Sequence, residues 1–101
     1  MIARVWKGYA RPENAPLYLE HLQHSVFPEL EQIDGFRGAN VLQKTQNGEV
    51  EFIVMTLWTS MDAIHQFAGA DAEVAVVASA AQAILSHFDS TVAHYEVALT
   101  K

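Results

Sequence analysis

The sequence predicts an α+β fold of the ferredoxin-like kind, β-α-β-β-α-β, with a four-stranded antiparallel sheet and both helices on one face. Three observations carry this. Strand-forming residues cluster at both ends of the chain, an amphipathic helical pattern follows the first cluster, and Asn47-Gly48 stands between two long strand-like runs. At 101 residues there is room for one core, so residues 1–101 read as a single domain.

Each element has a local reason. Residues 2–9 hold Ile2, Val5, Trp6 and Tyr9, all strand formers. Arg11-Pro12-Glu13-Asn14 supplies a turn, with Pro12 suited to a first helical position. Leu19, Leu22, Val26, Leu30 and Ile33 then recur at three- and four-residue steps, the apolar stripe of a helix over 13–33. Pro28 lacks a backbone donor and predicts a kink near His24–Ser25, while Gly35 suits the C-terminal cap. Residues 36–46 and 49–58 read as two strands, because Asn-Gly tolerates the positive φ angles of a two-residue hairpin. Thr59 or Ser60 caps a short helix, Met61 to Ala68, which Gly69 breaks. Val74, Val77, Ala81, Ile84 and Phe88 keep helical spacing. Ser79-Ala80-Ala81-Gln82 also fits a capping box, and on that preferred reading a helix starts at 80 and 73–78 is a connector. Residues 90–99 form the final strand.

The pattern of the sheet predicts an assembly. In the third strand Phe52, Val54 and Trp58 point one way and Ile53, Met55 and Leu57 the other, so neither face is polar. In the last strand Val92 lies on one face and Tyr95, Val97 and Leu99 on the opposite one. Two helices cover one face. A second copy of the sheet, packed at ~10 Å, would cover the other and give a homodimer with a barrel-like core.

Composition excludes several classes. Half the residues are hydrophobic and 18% are charged, a globular balance, and a net charge of −6 with six scattered Lys/Arg gives no stripe for nucleic acid. The absence of cysteine excludes disulfides, thiolate metal sites and a Cys nucleophile. The first residues lack the order of a secretory signal, and no apolar run approaches the ~20 residues of a membrane span, so a cytoplasmic protein is expected. There is no Gly-rich phosphate loop, serine-nucleophile signature, flavin site or metal motif, and no cofactor is expected.

The element order, Ile33-Asp34-Gly35-Phe36-Arg37-Gly38 entering the second strand, Val54-Met55-Thr56-Leu57-Trp58-Thr59-Ser60 leaving the third and the closing His94-Tyr95-Glu96-Val97 together resemble the dimeric α/β-barrel superfamily. Within it the chain resembles the antibiotic biosynthesis monooxygenase type. That resemblance implies a pocket between sheet and helices in each protomer, bordered by the Trp that Trp58 matches. It also implies either cofactor-free oxidation of a small phenol, anthrone or quinone-like aromatic by O₂, or a non-catalytic dimer that binds a small ligand. Haem degradation, a third activity of such proteins, needs an Asn on the first strand, which offers Arg4, Trp6 and Lys7 instead. It also needs a histidine near Ala68-Gly69, and His65 falls about one turn early.

A cofactor-free oxygenase must bind an aromatic ring, take its proton and exclude water. Histidine suits the proton step. Of the five histidines, His94 shares a face with Val92 and Glu96 and would stand at the pocket floor, or else be a buried histidine bonded to Glu96 or Arg4. His65 is on the helix that would roof the pocket, or simply exposed. His94, Trp58 and His65 are the candidate catalytic residues. Arg4, Trp6, Phe52 and Tyr9 are the candidate substrate-binding residues; Trp6 also reads as core. Arg4 wants a carboxylate or an anionic ligand in a strand covered on both faces, and Glu96 could supply the carboxylate. His21 and His24 are three apart on the first helix but lack a third ligand, so they read as solvated surface rather than metal. His87 fits a helix C-terminus.

Overall fold

The computed structural model describes residues 1–101. Strand β1, Ile2–Ala10, lies in the middle of the sheet and pairs antiparallel with β3, Glu49–Trp58, from Ile2 opposite Trp58 to Ala10 opposite Val50. Strand β2, Phe36–Gln46, pairs antiparallel with β3, with a bulge between Phe36 and Gly38. The hairpin between them turns at Asn47 (φ 56°) and Gly48 (φ 73°), the two positive angles that an Asn-Gly pair accepts cheaply. The strand order is β2-β3-β1-β4, the ferredoxin-like arrangement.

The last strand differs from the single run expected over 90–99. It is split into β4, His87–Phe88, opposite Gly8 and Tyr9, and β5, Ala93–Glu96, opposite Ile2 to Val5, so the sheet has five strands rather than four. The cause is non-local. Between the two pieces the chain leaves β1 to bond the 73–75 connector: Ala75 N–H donates to Ser90 O at 2.9 Å and Val92 N–H to Glu73 O at 2.8 Å.

The first helical region runs as α1, Ala15–His21, a π-helical turn over Leu22–Val26, and α2, Phe27–Leu30. Pro28 has no N–H to return to the carbonyl four residues back, and the expected kink takes the form of this π turn, with Phe27 N–H donating to Leu22 O. Pro16, rather than Pro12, occupies the first helical turn. The buried stripe is also re-phased. Ala15, Tyr18, Leu22 and Leu30 face the sheet, whereas Leu19 is 36% exposed. Gly35, at φ +98°, then leads into β2, where an added Cβ would stand 2.6 Å from Ala63 Cβ.

Helix α3, Met61–Ala68, begins at Ser60, whose Oγ accepts from Ala63 N–H at 3.2 Å. Helix α4, Ser79–Ile84, follows a connector over 73–78, as expected, but without the capping box: Ala78 is its cap and Gln82 Nε2 donates back to Val77 O. Two apolar clusters result. One gathers Tyr18, Leu22, Val50, Phe52 and Leu85; the other gathers Leu30, Trp58, Ala63, Ile64 and Ala72. The uncovered sheet face carries Val5, Leu42, Ile53, Met55 and Leu57, in register across β1, β2 and β3.

Candidate functional site

A cavity of about 80 Å³ lies between the sheet and the helices. Arg4 and Trp6 from β1 and Val54 and Thr56 from β3 form its floor. Their even spacing puts them on the helix side of the pleat. Tyr18, His21, Leu22 and Val26 form the helical wall, and Val76–Ala78 of the connector the roof. Most of the lining is apolar. Its polar groups are the Arg4 guanidinium, the Tyr18 phenol, the His21 imidazole and the Thr56 hydroxyl.

Arg4 is 5% exposed, yet no carboxylate reaches it; the ion pairs of the chain are Lys7–Glu51, Lys44–Glu51 and His87–Glu49. Its NH1 donates to Ala72 O and its NH2 to Val74 O at 3.2 Å, and the Phe67 ring lies 5.8 Å from Cζ. Burial lowers its pKa from the ordinary arginine value. The carboxylate that the sequence offered, Glu96, stands opposite Ile2 rather than Arg4, because the β1–β5 register pairs Arg4 with His94.

Arg4 NH1 and His94 Nε2 are 3.0 Å apart. A guanidinium only donates, so Nε2 accepts and His94 carries its proton on Nδ1. Desolvation first, and then the Arg4 charge, lower the His94 pKa, against an opposing pull from Glu73. His94 is thus a neutral acceptor behind Arg4, on the rim of a surface groove with Met1, Thr59, Met61 and Glu96.

Trp58 is fully buried in the second cluster, edge-on to Phe36 at 5.3 Å, and does not line the cavity. Its Nε1 donates to Thr56 Oγ1 at 2.8 Å. The Thr56 oxygen is thereby held on the Trp58 side and its hydroxyl proton is free to turn to the cavity. Trp6 does line the cavity, tilted against Tyr18 at 6.5 Å and fixed by its Nε1–H to Asp89 O at 2.7 Å.

The structure thus brings Arg4 and Trp6 together at the cavity and sets the other nominated residues elsewhere. Phe52 is fully buried under Tyr18, 5.1 Å between ring centroids. Tyr9 stacks on His87 at 4.2 Å, beyond the cavity. His65 is exposed, with Nδ1 2.7 Å from Gly69 O at the end of α3. Sequence reading missed Tyr18, His21 and Thr56. Tyr18 stands four residues before Leu22 and Thr56 shares the parity of Val54 and Trp58, so both signals were present. His21, read as solvated surface, lies beside Tyr18 at 6.2 Å and lines the cavity. Burial pushes the Tyr18 phenol well above its ordinary value, so it is a donor and not a base. No group of three His, Asp or Glu is placed to hold a metal ion.

An α+β fold of ferredoxin-like topology, with a cavity between sheet and helices, is the class of protein this architecture defines. Residues 1–79 match the family model described as antibiotic biosynthesis monooxygenase, and the chain belongs to that family. Solved structures share the fold. A Bacillus cereus protein described as a candidate antibiotic biosynthesis monooxygenase is 20% identical, with a TM-score of 0.70 over 100% of this chain and 94% of that one. A Deinococcus radiodurans protein of the same description is 19% identical, with a TM-score of 0.70 over 100% and 96%. The haem degrader MhuD of Mycobacterium tuberculosis, solved with two haems in its active site, is 22% identical, with a TM-score of 0.63 over 100% and 99%. At these identities the likeness concerns the fold. No curated protein matches the sequence. No helix is long and apolar enough to cross a membrane.

Proposed function

We propose that the protein is a cofactor-independent monooxygenase that oxidises a small aromatic, phenol- or quinone-like substrate with O₂, and that it works as a homodimer. The observation that carries this reading is the apolar cavity between sheet and helices with Trp6, Arg4, Tyr18 and His21 converging on it. The ring lies against Trp6, and Tyr18 and Thr56 donate hydrogen bonds to its oxygen. His21 takes the proton, which raises the electron density of the ring enough to reduce O₂. Oxidation of a ring CH₂ to C=O places one oxygen atom on carbon and releases the other as water with the two hydrogens. The substrate supplies all four electrons, so no external reductant is needed.

The other nominated residues take supporting roles in this scheme. His94 holds Arg4 and Trp58 holds Thr56, so both act through a neighbour. His65 closes the C-terminus of α3 through Gly69, Phe52 supports Tyr18 and Tyr9 packs on His87. The residues do not reproduce a haem site: His65 is exposed and does not line the cavity, and the first strand carries no Asn.

The homodimer is supported by the uncovered sheet face, where Leu42 is 51% and Tyr95 59% exposed beside Val5, Ile53 and Met55. A second copy of that face would bury side chains worth ~1.5–3 kcal/mol each. Sedimentation on dilution should find no folded monomer; a stable folded monomer would reject the assembly.

Oxygen uptake by metal-stripped protein with a panel of anthrones and dihydroquinones tests the activity. The uptake should exceed the uncatalysed rate and fall ~10²-fold or more in His21→Ala, the range for loss of a general base, with a smaller fall in His94→Ala. No uptake across the panel, or uptake unchanged in both variants, would reject it. The second reading, a non-catalytic homodimer that binds a small ligand, is favoured by the engagement of His94 Nε2 with Arg4. Ligand binding without oxygen uptake selects it.

A further inference from the structure

We propose that the cavity holds its aromatic ligand as an anion, with the buried guanidinium of Arg4 as the countercharge. This rests on the cavity being the ligand site, as in the proposed function, and narrows the ligand to a ring that carries a carboxylate or an ionised phenol oxygen.

A cation taken out of water is stable only when an opposite charge or a full set of hydrogen bonds replaces the water. Arg4 is 5% exposed and has neither in full. Its partners are two neutral carbonyls, Ala72 O and Val74 O, and the neutral imidazole of His94. Every ion pair in the chain lies elsewhere. A guanidinium has five N–H donors. NH1 spends its pair on Ala72 and His94, and NH2 spends one on Val74, leaving Nε–H and a second NH2 proton. Arg4 lines the cavity, and these remaining donors form the fork that binds two oxygens, or one oxygen twice.

The surroundings select the same ligand. Most of the rest of the lining is apolar, so an anion there meets the cation in a low dielectric, where attraction is strong. Trp6 and Val54 give the ring a flat apolar bed. No carboxylate lines the cavity to repel an anion. Tyr18, a donor at neutral pH, adds a hydrogen bond to it. An arginine used only as a structural pin for the 72–74 backbone would have no need to line a cavity.

Matched pairs of ligands test the proposal by quenching of tryptophan fluorescence and by calorimetry, with no turnover required. The pairs are 4-nitrophenol against 4-nitroanisole, at a pH where the phenol is ionised, and benzoate against benzamide. In at least one pair the anion should bind about tenfold or more tightly than its neutral partner, and the successful pair identifies the anionic group. Arg4→Gln should abolish that preference, and Arg4→Lys should retain part of it. A folded Arg4→Gln is judged by circular dichroism. Should it not fold, the Nε–H resonance of Arg4 in the wild-type protein gives the answer: it should shift on titration with the anion and stay still with the neutral partner. Equal affinities within both pairs, no binding of either anion, or a preference that survives Arg4→Gln would overturn the proposal. Anion-selective binding beside a silent oxygen electrode would keep this inference and reject the monooxygenase.

Discussion

Arg4 and Lys7 stand three residues apart on the same central strand, point to opposite faces of the sheet and are treated in opposite ways. Lys7 lies on the uncovered face, 46% exposed, and shares Glu51 with Lys44 at 3.9 and 3.6 Å. Arg4 lies on the helix-covered face, 5% exposed, with carbonyls and an imidazole in place of a carboxylate. The exposed charge, which water stabilises unaided, has a counterion, and the nearly buried charge has none. A desolvated charge without its opposite is maintained against stability, and a ligand is the natural source of the missing one.

The largest expected effect breaks the covered face itself. Trp58→Ala removes a fully buried side chain and the donor to Thr56, and should lower the unfolding free energy by roughly 3–5 kcal/mol in urea titrations. A comparable truncation on the uncovered face, Leu42→Ala at 51% exposure, should cost the folded chain well under about 1 kcal/mol. It should weaken association instead, which sedimentation reads separately.

Ser60→Ala sharpens the contrast between local and cavity-linked residues. It removes the Oγ that accepts from Ala63 N–H, and should cost about 1 kcal/mol without altering ligand affinity. The surface charges come last. Lys7→Gln and Lys44→Gln should each move stability by no more than about 0.5 kcal/mol, because exposed ion pairs are screened and Glu51 keeps its other partner.

His94 links the covered face to pH. Its folded-state pKa is lowered from the ordinary 6.5 by desolvation and by Arg4, with His65 adding to the shift and Glu73 opposing it. As the pH falls, the unfolded chain therefore binds the proton first. The contribution of His94 is complete above about 6.5 and is lost as the solution is acidified below that value. His94→Gln keeps an acceptor for Arg4 but does not titrate, so its stability should fall less steeply in acid. Identical slopes for the two proteins in urea midpoints against pH would assign the acid sensitivity to another group.

The parts legible in the sequence are those whose cause is local. Asn47-Gly48 set the hairpin, and both flanking strands have the expected limits. Ser60 set the start of α3. The last strand was not legible, because its break depends on Val74 and Thr91 meeting across the fold. The face presented by α1 was read one residue out, at Leu19 instead of Tyr18, since the π turn alters the helical period below it. The same shift hid His21. For Arg4, the sequence exposed the problem of a charge in a covered strand, but the partner depended on the β1–β5 register, and Glu96 falls two pairs too far along.

The account stands on the claim that this cavity, through Arg4, binds an aromatic and lets O₂ oxidise it. The most direct measurement supplies heavy-isotope dioxygen to metal-stripped protein with an anthrone and weighs the product. The account predicts one labelled oxygen atom in the wild-type product, formed faster than without protein, and no acceleration with Arg4→Gln. A product without label, or an equal rate with the variant, would contradict it.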